Sequence, residues 1–347
     1  MKVASVTRTL ACAVVGILLL SCSDGPTRPR PPQKEYPFYF RANAFTYYRF
    51  HPVSKQIDTI VLPYRSFPNI AVSTDGKRLY IPYGNSTVVV GTDSFAFIAE
   101  LPYPSTGGVA VSPDGKLVAI QGTDLNILRT SDYSVVYTDT TSSELVGDFS
   151  ADGRHFYGRG DCQHIYKLNP YNGIREVEMQ FPSECVTRFV PSIDETKWLL
   201  YLHVSTFDHF FQVYDVASDS IVFSLYITPG QGWIVVTSDG RYAFISNPGT
   251  PLFGPPPPSS FLMFDIQNNV LYKEIDTYGL IGDSIRDYLP IGAMAVSPDG
   301  KILVAARAYA AGNGDFIVFD IQTELITENY FVGSAAALVW ITCQAAP

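Results

Sequence analysis

Along this chain apolar and polar positions alternate in short runs, and the runs recur in a fixed order. The unit is clearest in VAVSPDGKLVAI, Val109 to Ile120: an alternating apolar run, a Ser-x-Asp-Gly-Lys/Arg turn, and a second apolar run. Period-two alternation on both sides of a turn signal predicts a pair of antiparallel strands. Clean copies of the turn start at Ser73, Ser112, Ser150, Thr237 and Ser297, and a degraded copy (Ser192, Asp194, Glu195, Lys197) stands between the third and the fourth. From aspartate to aspartate the steps are 39, 38, 42, 45 and 60 residues. A repeat of roughly 40 residues carrying two strands per turn signal is the mark of a β-propeller blade.

A second unit, strand–polar turn–strand, occurs seven times. Its copies begin at Phe45, Val88, Leu125, Ile165, Phe211, Phe261 and Phe316. Six follow an Asp-Gly unit or its degraded copy, the first follows none, and the last is trailed by an orphan apolar run, Ala335 to Thr342. The simplest accounting is an all-β fold, a seven-bladed β-propeller of four-stranded blades, with strands a to d counted outward from the axis. The N-terminal segment supplies strands b, c and d of one blade and the C-terminal run supplies its strand a. Such closure leaves no open edge around the ring.

Composition agrees with this fold. Hydrophobic residues make up 46% of the 347, charged residues only 16%, and Tyr and Phe number 22 each. That balance favours strands and a core large enough for one propeller. The formal charge is −9. Loss of residues 1–21 would remove Lys2 and Arg8 and no acid, so a processed chain is more acidic still. No Lys/Arg cluster is present, which argues against nucleic acid and against electrostatic docking on anionic lipid.

The first 22 residues read as an address. Lys2 and Arg8 are followed by the apolar run Leu10 to Leu20 and then by Leu19-Leu20-Ser21-Cys22. The segment resembles a bacterial lipoprotein signal, in which the cysteine is lipidated and becomes the mature N-terminus; an ordinary secretory signal is the alternative. The run is too short to span a bilayer, which takes about 20 residues. Ser23 stands where an inner-membrane retention signal would carry Asp, so the resemblance points to the outer membrane. Residues 22–36 form a Pro-rich tether (Pro26, Pro29, Pro31, Pro32) of extended polyproline type, reaching roughly 40 Å at ~3.1 Å per residue. The expected organisation is thus signal peptide 1–21, lipidated Cys22 and tether to residue 36, and propeller 37–344.

The stretch SFPNIAVSTDGKRLYIPYGNSTVVVGTDSFAFIAELP, Ser66 to Pro102, runs in the order of the YVTN family: a Pro before the apolar run, the Asp-Gly turn, a tyrosine strand, a variable hairpin. The repeats resemble that family of bacterial β-propellers over about residues 37 to 344, with a weaker likeness to WD-repeat domains. Tyr80-Ile81-Pro82 replaces Tyr-Val-Thr, the fourth turn lacks its glycine, and no Gly-His or Trp-Asp signature occurs. The resemblance implies the fold and a cell-envelope location. It implies no single activity.

Candidate chemistry is sparse. Each Asp-Gly turn offers one carboxylate where a calcium loop needs many oxygens, so the aspartate is expected to bond its own backbone while glycine takes positive φ. There is no HExxH, GxSxG or phosphate loop. His203, Asp208 and His209 form the only histidine cluster with ligand-like spacing, in the b–c loop of blade 4. A surface loop of this kind is more often empty than metallated, and neither metal nor cofactor is expected. Cys162 and Cys185 fall in loops that emerge on one face, so a disulfide between them is open, as are buried thiols including Cys343. On the inner strands, Asp148 and Arg188 are the polar candidates for the channel, with a structural ion pair as the simpler role.

Length varies in the b–c and d–a connections and hardly at all in the a–b and c–d turns, which lie on the opposite face. Long aromatic-bearing loops on a rigid scaffold are where propellers bind. Leu252 and Phe253 beside Pro255 to Pro258, with Tyr278, Tyr288 and Tyr309, join the His203 cluster as binding-face candidates. Unconstrained drift of these loops is the bland alternative. The functional expectation is a monomeric, lipid-anchored envelope protein, touching the membrane only through its anchor, that binds an envelope protein, glycan or peptide. The alternative is a periplasmic propeller enzyme of lactonase or quinoprotein-like oxidoreductase type.

Overall fold

The computed structural model describes residues 35–41, 45–62, 70–140, 146–159, 163–181, 184–205, 208–227, 232–247, 260–277, 291–308, 314–331 and 341–343. Every regular element among them is a strand. The N-terminal segment forms β1 (Phe38–Arg41), β2 (Thr46–His51) and β3 (Gln56–Val61). Blade 1 follows as β4 (Ala71–Val72), β5 (Arg78–Tyr83), β6 (Ser86–Gly91) and β7 (Phe97–Leu101), and blade 2 as β8 (Gly108–Val111), β9 (Leu117–Gln121), β10 (Leu125–Arg129) and β11 (Val135–Asp139). Blade 3 is β12 (Val146–Phe149), β13 (Phe156–Arg159), β14 (His164–Leu168) and β15 (Arg175–Gln180). Blade 4 is β16 (Cys185–Pro191), β17 (Lys197–His203), β18 (His209–Asp215) and β19 (Ser220–Ile227). Blade 5 is β20 (Ile234–Val236), β21 (Tyr242–Asn247), β22 (Ser260–Asp265) and β23 (Val270–Asp276). Blade 6 is β24 (Ile291–Val296), β25 (Ile302–Ala308), β26 (Gly314–Asp320) and β27 (Leu325–Phe331), and β28 (Ile341–Cys343) ends the chain's strands.

Each blade is an antiparallel meander, and the seventh has the order β28-β1-β2-β3. The C-terminal strand pairs with the N-terminal one in the register Phe38↔Cys343, Tyr39↔Thr342, Phe40↔Ile341. The expected closure is therefore the one the molecule uses: seven four-stranded blades, the last shared by both ends of the chain.

Pairing within a blade leaves two apolar faces, and each is covered by a neighbouring blade. That is why β5, β6 and β9 are buried almost throughout instead of alternating, whereas outer strands such as β19 and β23 are half exposed. The core lies between blades. Tyr157 and Ile165 of blade 3 pack with Val186, Trp198, Leu200 and Leu202 of blade 4. At the closure, Phe316 of blade 6 stacks on Phe40 (4.6 Å between centroids) and sits 4.9 Å from Phe50 and 5.0 Å from Tyr330. Burying each such phenylalanine stabilises by about 1.5–3 kcal/mol. Arg49 of blade 7 pairs with Asp58 at 2.7 Å and donates to Thr92 O of blade 1 at 2.7 Å.

The a–b turns repeat one local network. In blade 2, Ser112 Oγ donates to Asp114 Oδ1 (2.7 Å), which also accepts the Lys116 N–H (3.1 Å), while Leu117 N–H donates to Ser112 Oγ (2.9 Å). Gly115 holds φ +71°, and a Cβ there would lie 2.2 Å from Thr74 Oγ1. Asp75, Asp152, Asp194, Asp239 and Asp299 bond their own turns in the same way. Partial burial raises the pKa of Asp114, but the hydroxyl and amide donors outweigh it and hold the carboxyl below its ordinary range.

The degraded fourth turn has a use. Glu195 takes the glycine position at φ +57°, a conformation that strains a side-chain-bearing residue. Its carboxylate reaches back to blade 3, where it accepts from Tyr157 OH and from Lys167 Nζ (3.1 Å) and faces His155 Nδ1 at 3.5 Å. A lost glycine is exchanged for an inter-blade tie.

Candidate functional site

The inner strands enclose an axial cavity of about 530 Å³, within the size range of small-molecule sites. Blades 1 to 6 wall it, largely with small or apolar residues such as Ala71, Gly108, Ala110, Val235 and Ala295. Its polar groups gather at one level. The residue seven places after the turn aspartate is Gln121 in blade 2, Arg159 in blade 3, Tyr201 in blade 4 and Ser246 in blade 5. Arg188 pairs with Tyr201, and Trp233 O accepts the Ser246 N–H at 2.9 Å. Gln121, Arg159, Arg188 and Trp233 therefore share the end of the cavity from which the b–c and d–a connections leave. Asp148 sits two residues deeper than that level, opposite Tyr157.

Two of these groups brace the wall. The Gln121 amide clasps Gly147, donating from Nε2 to the carbonyl (2.9 Å) and accepting the N–H at Oε1 (2.7 Å). Gly147 is required by close approach, because a Cβ there would lie 1.8 Å from Tyr157 O. Arg159 Nη1 donates to Val186 O (2.5 Å) and Thr187 O (3.2 Å), tying blade 3 to blade 4.

Asp148 and Arg188 face the lumen. A register shift in β16 between Val186 and Arg188 re-aims the strand at this point. The Arg188 guanidinium carbon lies 3.6 Å from the Trp233 ring centroid, a stacked cation–π contact. Trp233 is itself fixed, its indole N–H donating to Met294 O at 2.9 Å. Asp148 is open to the lumen yet ringed by protein, and this enclosure pushes its pKa up to about 6, against the Phe149 N–H (2.8 Å) and the Arg188 charge, which lower it. Enclosure likewise brings Arg188 down to about 10, partly offset by Asp148, so it remains a cation at neutral pH. Asp148 and Arg188, from neighbouring inner strands, both line the cavity and act on each other through their charges. The roles of Trp233, Gln121 and Arg159 were not anticipated; the sequence signal available was the run of polar residues at the seventh place after the aspartate.

The other candidates divide. His203 ends β17 and His209 begins β18, directly paired across the strands, with Asp208 exposed beside them. The imidazoles thus belong to the sheet, not to the loop. Cys185 heads β16, half-buried, in register with His203. Cys22, Cys162, Leu252, Phe253, Tyr278, Tyr288 and Tyr309 lie outside the described residues. Among the described residues Asp152, His155 and Glu195 are grouped closely enough to hold a cation. The Lys167 ammonium already fills that place at Glu195.

No protein-family model matches the chain, and no curated protein sequence does. Solved structures share its architecture. Hydrazine synthase of Kuenenia stuttgartiensis superposes with a TM-score of 0.62 at 16% identity, covering 75% of this chain and 78% of that one. The β-propeller domain of Cps50 (Swd1) from Myceliophteria thermophila gives 0.61 at 11% identity, covering 78% and 87%. Dihydro-heme d1 dehydrogenase NirN gives 0.54 at 15% identity, covering 89% and 76%. At these identities the likeness establishes a WD40-like propeller fold. Activity does not follow from it.

Proposed function

We propose that this chain is a cell-envelope lipoprotein whose propeller binds a peptide segment of an envelope partner at the long-connection mouth of its axial cavity. The observation that carries the reading is the Arg188–Trp233 stack facing Asp148 inside a cavity of about 530 Å³. It offers a cation held in place by the indole beneath it and a carboxylate at one spot, which is recognition chemistry for a chain carrying both hydrogen-bond donors and acceptors. Braced by Gln121 and Arg159, the wall needs little reordering on binding, which favours affinity. On the other face the Ser–Asp turns bond to themselves. The signal-like segment ending at Cys22 and the YVTN-like blade order support the anchored envelope location.

A second reading, a propeller enzyme, rests on Asp148. A carboxyl with pKa about 6 beside a cation is poised for acid–base work, and two of the similar structures are named as enzymes. Isolation of the membrane-anchored chain with its cross-linked partner separates the two. Arg188→Gln should abolish capture of the partner peptide while Lys116→Glu, on the turn face, leaves it intact. Cys22→Ala should shift the folded protein out of the membrane fraction. Recovery of a chemically altered small molecule that depends on Asp148, with capture indifferent to Arg188, would favour the enzyme.

A further inference from the structure

The most informative group outside the cavity is the imidazole pair of blade 4. His203 and His209 are direct cross-strand partners at the loop end of the β17–β18 hairpin. Their ring centroids are 4.7 Å apart, and the planes are inclined by 31°. His203 Nε2 and His209 Nδ1 are both buried without a hydrogen-bond partner, and His209 is only 8% exposed. A buried polar atom left unpaired is costly, so two at adjacent residues call for a common explanation.

From this geometry we propose that His203 and His209 together bind a borderline divalent transition metal of the zinc and copper class. Two imidazoles on one such ion, at about 2.0–2.1 Å per metal–nitrogen bond and 90–109° between bonds, hold their centroids roughly 4.5–5.2 Å apart. The observed 4.7 Å lies inside that window. A pair of imidazole nitrogens selects neither the metals that prefer thiolates nor those that prefer an all-oxygen shell. Asp208 follows from the same hairpin, its Oδ2 accepting Ser205 Oγ at 2.7 Å, and places an anionic group next to the pair. The ion's other positions are left to solvent. A metal here would cross-link the b–c hairpin of blade 4 at the face where the long connections emerge.

The test is calorimetric titration of the full-length chain in detergent with Zn²⁺ and, separately, Cu²⁺, for the parent and for His203→Gln, His209→Gln and Cys185→Ser. One ion per chain should bind with micromolar affinity, each histidine variant should weaken it at least tenfold, and Cys185→Ser should leave it unchanged. Copper bound to the parent should show nitrogen hyperfine coupling from two imidazoles by electron paramagnetic resonance, a reading that needs no variant to fold. Absence of saturable binding at millimolar zinc, binding indifferent to both histidines, or a copper spectrum without two-nitrogen coupling would overturn the proposal.

Discussion

Arg307 and Asp315 form the most completely buried ion pair among the described residues, at 0% and 1% side-chain exposure. The guanidinium grips the carboxylate through Nε and Nη2, both at 2.7 Å, and Nη1 donates to Thr277 O at 3.1 Å. That last bond ties the b–c end of blade 6 to the connection leaving blade 5. Arg307→Leu removes all three hydrogen bonds and strands a carboxylate in the core. Breaking one side of such a pair costs about 3–5 kcal/mol. At roughly 2.1 cal/mol/K per residue, the compact unit Glu35–Pro347 unfolds with an entropy near 0.65 kcal/mol/K, so a loss of about 4 kcal/mol lowers Tm by about 6 °C. Replacing both residues, Arg307→Leu with Asp315→Leu, removes the stranded charge and should recover most of that loss. Calorimetry and guanidinium unfolding of parent, single and double variants measure it. A single variant within 1 kcal/mol of the parent, or a double variant worse than the single, would refute the reasoning.

Truncation after Phe331 removes β28 and leaves β1 with an unpaired inner edge, so aggregation or a Tm fall of several degrees is expected; a truncated chain melting with the parent would contradict the shared blade. Glu195→Gly relieves left-handed strain but forfeits the bonds from Tyr157 and Lys167, for a net loss of roughly 1 kcal/mol in denaturant unfolding, and a gain would show the inter-blade tie to be idle. Asp148 has a folded pKa of about 6, raised above its unfolded value. Its stabilising contribution is therefore complete below about pH 4 and lost as pH rises through 6. The Tm advantage of the parent over Asp148→Asn should accordingly shrink between pH 4.5 and 7.5, and one that grows with pH would reverse the assigned shift.

Much of the architecture was legible because its code is local. Ser112, Asp114 and Gly115 close their turn with bonds spanning no more than five residues, so one copy identifies all. Closure was legible by counting, since seven hairpins against six turns leave one blade short of a strand. The axial wall was not, because Gln121, Gly147, Arg188 and Trp233 come from four blades and meet only through lateral packing. His203 and His209 read as loop residues because the register that pairs them depends on how far β17 and β18 extend. Glu195 read as decay because its partners, Tyr157 and Lys167, belong to the preceding blade.

The claim that the cavity mouth captures a partner is tested most directly by site-specific photo-cross-linking in intact cells. Thr187 is exposed beside Arg188 on the cavity wall, and Lys116 is exposed on the turn face. With p-benzoylphenylalanine at Thr187, irradiation should give one discrete adduct that disappears on adding Arg188→Gln, and the probe at Lys116 should give none. Adducts from Lys116 alone, or from Thr187 regardless of Arg188, would contradict the account.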